Sequence, residues 1–195
     1  MSTGTHLITA EQFADMHFDV PVELVRGEVV FLHGEDGMTR PNWEHGLVCG
    51  NIGAILREWS RRQKAGVSFT NDSGVITERD PDSVRGPDVF FVSRERLPPR
   101  STWQKIPPAT PNLCVEVWSP SDRWREVHRK IQEYLDSGVK EVWIVFPNRH
   151  TVEVFRADEP PVILGENEQL ESPELAGFSC RISELFLDGI EDEPV

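Results

Sequence analysis

Apolar residues along the chain recur with two periods, one helical and one extended. Between Glu44 and Gln63 the apolar positions Val48, Ile52, Ile55, Leu56 and Trp59 return at helical spacing. Arg61, Arg62 and Lys64 suit the end of that helix, and Gly66 is placed to stop it. Thr9-Ala-Glu-Gln12 has capping-box spacing and predicts a short helix over 9–16. Val22 to Leu32 reads as two strands turning at Arg26-Gly27, a β-hairpin signature. Residues 33–43, with two glycines, one proline and no periodicity, read as a loop. Strand-like pieces follow at 67–70 and 74–78, then a Pro/Asp/Gly-rich turn at 80–87. Asp88-Val-Phe-Phe-Val92 reads as a buried strand, and the Arg- and Pro-rich stretch 93–112 as a long loop of the kind kept for function.

The stretch 113–146 carries the most topology. Leu113-Cys-Val-Glu-Val117 is apolar apart from one carboxylate, and Ser119-Pro-Ser-Asp122 supplies turn chemistry and a helix N-cap. A helix over 123–137 stacks Val127, Ile131, Tyr134 and Leu135, with Gly138 as its cap. Val142-Trp-Ile-Val-Phe146 is then an uninterrupted buried strand. Strand, helix, strand at this spacing is a βαβ crossover and requires a parallel pair. Shorter strands are expected at 152–155 and 162–164, and a turn, a strand and a helix near 182–187 close the chain. The predicted fold is α/β: one domain over 1–187 with a central mixed β-sheet, early antiparallel hairpins and flanking helices. An acidic, frayed tail is expected over 188–195.

The chain has 195 residues, 38% of them hydrophobic, enough for one well-buried core. The longest clean apolar run is the five residues Val142–Phe146, far short of the roughly 20 a spanning helix needs, so no membrane partner is expected. Met1 to Gln12 carry no basic patch and no apolar stretch of a secretory signal. Cys49, Cys114 and Cys180 are too few and too far apart for a disulfide framework, so a reducing cytoplasm is expected.

Charge adds an objection. The 33 acidic and 20 basic residues give −13, which opposes approach to phosphates. The objection weakens by segment: residues 1–150 hold 21 acids and 18 bases, and residues 151–195 hold 12 and 2. The body is therefore at −3, and its cations are mostly arginines, including Arg57, Arg61, Arg62, Arg123, Arg125 and Arg129. Arginine suits phosphate through its planar two-pronged donor, although solvated helix faces use it as well.

Two carboxylates sit where apolar residues belong. Asp88 opens one buried strand and Glu116 interrupts another. A buried carboxylate is costly unless paired or bound to metal. The ordinary alternatives are a strand-end cap for Asp88 and an arginine partner for Glu116. Two such acids on adjacent strands also suit a hard divalent cation, which takes oxygen ligands. Lys130, one of only four lysines, lies beside the apolar stripe of helix 123–137, where it either lines the site or snorkels along the helix edge.

Pro87-Asp88, Val115-Glu116-Val117 and Lys130 together resemble the PD-(D/E)XK nuclease superfamily. More narrowly, the chain resembles the Uma-type putative restriction endonucleases, a domain family of unknown function. The matching segments are Glu23-Leu-Val-Arg-Gly-Glu28, His45, Arg85-Gly-Pro-Asp-Val89, Val115-Glu-Val-Trp-Ser-Pro-Ser121, Lys130 with Tyr134, and Gly138-Val-Lys-Glu-Val-Trp143. They span about residues 8–186. One departure stands out: the superfamily's lysine two residues after the glutamate is here Trp118. The narrower family moves it to the next helix, which makes Lys130 its equivalent, about two turns or roughly 10 Å from the helix start.

The resemblance implies a restriction-endonuclease-like core and a homodimer acting on DNA with Mg²⁺ or Mn²⁺. Asp88, Glu116 and the Val117 carbonyl would hold the metal, with Glu23 as an additional acid and Lys130 positioning water. His45, Arg85 and Tyr134 are the candidate substrate contacts. His45 reads equally as a base or a structural helix residue, and Tyr134, i+4 from Lys130, as a hydrogen-bond partner within the site or a core residue. The competing reading is an inactive homodimeric nucleic-acid-binding or regulatory module on the same scaffold, marked by Lys130 turned outward. An acidic DNA mimic rests only on the tail charge.

Overall fold

The computed structural model describes residues 7–32, 42–70, 73–103, 105–187 and 189. The expected loop 33–43, apart from Asn42 and Trp43, and the expected frayed tail, apart from Gly189, lie outside the described residues. The chain begins with α1 (Ala10–Ala14), whose Thr9 and Gln12 form the capping box that the spacing predicts. The hairpin follows as β1 (Val22–Val25) and β2 (Glu28–Phe31). Its turn residues Arg26 and Gly27 have φ of 50° and 80°, the paired positive values of a tight hairpin turn. A Cβ on Gly27 would lie 2.6 Å from the Leu7 Cβ, so only glycine fits there.

Helix α2 (Trp43–Gln63) starts at Asn42, whose side chain accepts from the His45 amide. It stops two residues earlier than Gly66 suggests. Lys64 takes the left-handed cap, with φ 54°. Gly66 instead opens β3 (Gly66–Thr70), where a Cβ would come within 2.2 Å of the Val92 carbonyl oxygen. Next come β4 (Val75–Glu78), β5 (Ser83–Arg85) and β6 (Val89–Ser93). The turn expected over 80–87 therefore contains a strand. Three residues are too few to show alternation, and β5 becomes a strand through its neighbours, lying between β1 and β4.

The crossover forms as predicted. Strand β7 (Leu113–Val117), helix α3 (Trp124–Asp136) and strand β8 (Glu141–Phe146) bring Glu116 opposite Ile144 in a parallel pair. The expected side-chain N-cap of α3 is absent. Arg123 occupies that position without a capping bond, and Asp122 accepts from the Ser119 amide instead, closing the turn. Gly138, with φ 95°, terminates the helix. Strands β9 (Thr151–Arg156), β10 (Val162–Leu164), β11 (Gln169–Glu171) and β12 (Ser179–Arg181) complete the strand set. The helix expected near 182–187 is a 3-10 turn over Ile182–Leu185.

The main sheet has the order β10-β9-β8-β7-β6-β3 and is antiparallel except for β7–β8. Its two faces bury alternate residues, as strands covered on both sides must. Val89, Phe91, Val115, Val117, Trp143 and Val145 pack with Val48, Ile52, Leu56 and Trp59 of α2. Phe90, Val92, Cys114, Val142, Ile144 and Phe146 pack with Val127, Ile131 and Tyr134 of α3. Truncating a buried residue such as Ile144 to alanine costs about 2–5 kcal/mol. A second antiparallel sheet, β2-β1-β5-β4, carries Glu23 and Arg85.

Candidate active site

Register alone brings Asp88 and Glu116 together. Val89 pairs with Val115 in the antiparallel β6–β7 ladder. Asp88 immediately precedes Val89 and Glu116 immediately follows Val115, so both carboxylates lie at one end of this strand pair. It is the C-terminal end of the parallel β7–β8 pair, the end at which α/β sheets bind ligands. Asp88 accepts from the Val117 amide at 2.8 Å and faces His45 Nε2 at 3.4 Å. Glu116 lies on the α3 side and accepts from the Tyr134 hydroxyl at 2.7 Å.

Helix α3 aims Lys130 inward, not along its edge. Its Nζ is 3.4 Å from Glu116 and 3.0 Å from Glu23, and its side chain is 19% exposed. Positions 130 and 134 are one helical turn apart, so Lys130 and Tyr134 hold the two oxygens of one carboxylate. Glu23 is 2% exposed and also accepts from Arg85 at 2.7 Å and from the Gly86 amide at 3.2 Å. Arg85, equally buried, then grips Glu133 of α3 with two bonds of 2.6 and 2.7 Å. Such a fork is the geometry arginine favours with carboxylates.

The substrate-contact expectation for Arg85 and Tyr134 meets a different geometry. The Arg85 guanidinium is buried among Glu23 and Glu133, and Tyr134 is fully buried beneath Glu116. Both position other members of the cluster and neither reaches the surface. His45 is partly exposed and touches Asp88, and its Nδ1 lies 3.5 Å from the Cys49 thiol. Three members were missed by sequence reasoning. Glu133 looks like any polar helix residue, because its partner is 48 positions away. Asp122 looks like a turn residue. Cys49 did carry a signal, its i,i+4 spacing from His45 on α2.

The cluster's electrostatics are uneven. Burial, reinforced by the negative charges of Asp88 and Glu23, pushes the Glu116 carboxyl up to about 7, although Lys130 and Tyr134 oppose it. Burial likewise pushes Asp122 up, against its bond from Ser119 and the Lys130 charge. Burial raises Glu23 too, but Lys130 and Arg85 outweigh it and hold that carboxyl low. The hydrogen bond to Asp88 raises His45 to about 10. Burial opposes the charge on Lys130, yet Glu116 and Glu23 leave its pKa raised. An acid kept partly protonated beside a second carboxylate is a place where added positive charge is stabilising. Asp88 and Glu116, two carboxylates at one strand end, are the residues that could offer oxygen ligands to a hard divalent cation.

Fold and site together define a restriction-endonuclease-like α/β protein. The sequence matches the Uma2 family, described as putative restriction endonuclease, over residues 10–183, and the chain belongs to that family. In structure it is similar to a putative nuclease belonging to DUF820 from Anabaena variabilis ATCC 29413. The TM-score is 0.76 at 18% identity, covering 92% of this chain and 97% of the other. No curated protein matches. Among the described residues, no helix is long and apolar enough to cross a membrane.

Proposed function

We propose that the chain is a divalent-metal-dependent endonuclease that hydrolyses phosphodiester bonds of DNA. The observation that carries this reading is the convergence of Asp88, Glu116 and Lys130 at one end of the β6–β7 pair, with Lys130 turned inward. Asp88 and Glu116, with the Val117 carbonyl, are the residues to hold Mg²⁺ or Mn²⁺. Such an ion, when bound, neutralises phosphate charge and lowers the pKa of water.

The chain's own groups supply the remainder. Lys130 offsets charge that develops on the phosphoryl group and orients the attacking water. Glu23, fixed by Arg85 and Gly86, holds the ammonium at a set distance from Glu116. Tyr134 keeps the Glu116 plane fixed through its other oxygen. Phosphate contacts fall to Arg123, Arg125 and Arg129, which are exposed on or beside the first turns of α3. Arg57, Arg61 and Arg62 lie roughly 18–26 Å along α2 from His45 and are worse placed. Cutting both strands of a duplex calls for two copies of the chain, hence a homodimer.

A second reading, the non-cleaving module, has one observation in its favour. Asp88 is paired with His45, and Lys130 is shared between two glutamates, so internal partners satisfy the charges. The readings separate on supercoiled plasmid with Mg²⁺ or Mn²⁺. Wild type nicks it, EDTA stops the reaction and Asp88→Ala is inactive. Equal rates for wild type and Asp88→Ala contradict the endonuclease reading. Salt-dependent DNA binding in EDTA without cleavage supports the module.

A further inference from the structure

We propose that His45, Cys49 and Asp88 form a site for a thiophilic divalent cation, of which Zn²⁺ is the type. One imidazole nitrogen, one thiol sulfur and one carboxylate oxygen lie within 4.8 Å of one another. His45 and Cys49 are one turn apart on α2, so both side chains leave the same face. Asp88 meets them from the residue before β6 and is held by the Val117 amide.

The ligand chemistry differs from that of the carboxylate pair. Mg²⁺ takes oxygen and rarely anything else. A set of nitrogen, sulfur and oxygen suits Zn²⁺, with bonds of roughly 2.0–2.3 Å that place tetrahedral ligands roughly 3.3–3.8 Å apart. The imidazole already stands 3.5 Å from the thiol and 3.4 Å from the carboxylate. These contacts use opposite ring nitrogens, so only one of them is a ligand-to-ligand distance. One atom from each residue lies within 4.8 Å of the others, and a small turn of the imidazole closes the shell. His45 and Asp88 are both partly exposed, which gives the ion a way in and leaves its fourth position to water.

The same trio resembles a thiol–imidazole–carboxylate nucleophile, but its environment opposes that role. Burial pushes the Cys49 thiol up and keeps it protonated, whereas reactive cysteines have lowered pKa values and face solvent. A cation displaces that proton, and the imidazolium proton that Asp88 stabilises on His45, to solvent and gains the thiolate and a neutral imidazole as ligands. Asp88 belongs to both sets of ligands, so a thiophilic ion and a hard ion exclude each other. On the endonuclease reading, which this consequence rests on, Zn²⁺ blocks Mn²⁺-supported cleavage.

The test is a Co²⁺ titration of the reduced, metal-free protein followed by absorption. An intense thiolate-to-cobalt band in the near ultraviolet is expected to saturate at one equivalent, to vanish in Cys49→Ser and to persist in Cys180→Ser. No band in wild type, or a band that survives Cys49→Ser, overturns the site. Should Cys49→Ser not fold, X-ray absorption at the zinc edge on the wild type decides. One sulfur at about 2.3 Å supports the proposal, and a shell of oxygen and nitrogen alone overturns it. Neither readout needs cleavage activity, so failure here is distinct from failure of the endonuclease reading. Zn²⁺ inhibition of Mn²⁺-supported nicking that is unchanged in Cys49→Ser overturns the exclusion.

Discussion

Both ends of the parallel β7–β8 pair hold a glutamate within the sheet, and the two are built in opposite ways. Glu141 opens β8 and is 0% exposed. Its carboxylate accepts from the Trp143 indole, from Arg156 at 2.9 Å and from Ser172 at 3.2 Å. Every lone pair that matters faces a donor, and the residue is structural. Glu116, near the other end, is 15% exposed and has one hydroxyl and one shared ammonium. Around it stand Asp88 and Glu23, whose charges raise it, and the cation that touches it, Lys130, is shared with Glu23. Burial of an acid in a sheet is thus not the mark of chemistry. A shortage of donors around it is.

The sharpest way to break this contrast is activity. Asp88→Ala and Lys130→Ala should lower plasmid nicking about a thousandfold and about a hundredfold or more respectively, the scale on which metal ligands and acid–base groups act. Glu141→Ala should leave nicking per folded molecule unchanged, measured at a temperature where the variant is folded.

Stability should invert that order. Removing Glu141 leaves the buried Trp143 indole and Ser172 hydroxyl without their acceptor, while Arg156 keeps Glu159 at 3.6 Å. Unsatisfied buried groups of this kind cost about 1–3 kcal/mol each. Glu116→Gln should cost far less, and above pH 7 it should raise the urea midpoint in EDTA, because it removes a carboxylate that burial disfavours.

The pH dependence of the metal-free fold follows from the same imbalance. Glu116 has a folded pKa above its unfolded one, so the charged form is penalised and stability falls as pH rises from 4.5 to about 7. His45 is also raised, from 6.5 to about 10, so its stabilising contribution is full below 6.5 and is lost as pH rises through 10. Both signs agree. Urea unfolding in EDTA should show stability declining between pH 5 and pH 9 by a few kcal/mol. Glu116→Gln should flatten the lower part of that decline and His45→Gln the upper part.

The smallest effect is expected at Tyr134. Tyr134→Phe removes one hydrogen bond, worth about 0.5–1.5 kcal/mol, and the bond it removes is one that lowers the Glu116 pKa. The pH at which Mn²⁺ binding is half-complete should therefore rise in the variant.

What was legible in the sequence follows from the range of the forces involved. The βαβ unit over 113–146, the hairpin and α2 rest on periodicity and local turn chemistry, which one stretch of chain carries complete. Asp88 and Glu116 were visible because they interrupt apolar strands, and Lys130 because it borders an apolar stripe. Strand β5 was not, since only β1 and β4 make Ser83–Arg85 a strand. Glu141 lies beside an apolar run in the matching segment Gly138–Trp143, but its burial and its donors from β8, β9 and Ser172 show only in the fold. The burial of Arg85 is invisible in the sequence because its partners Glu23 and Glu133 lie 62 and 48 positions away. Local pattern marks which residues are unusual, and only the fold shows which of them are satisfied.

On the endonuclease reading, the Asp88–Glu116 end of the sheet holds a divalent cation. Crystals soaked in Mn²⁺ and measured for anomalous scattering test it most directly. A peak is expected between the Asp88 and Glu116 carboxylates and is lost in Asp88→Ala. No peak there at saturating Mn²⁺, or one that persists in Asp88→Ala, contradicts it.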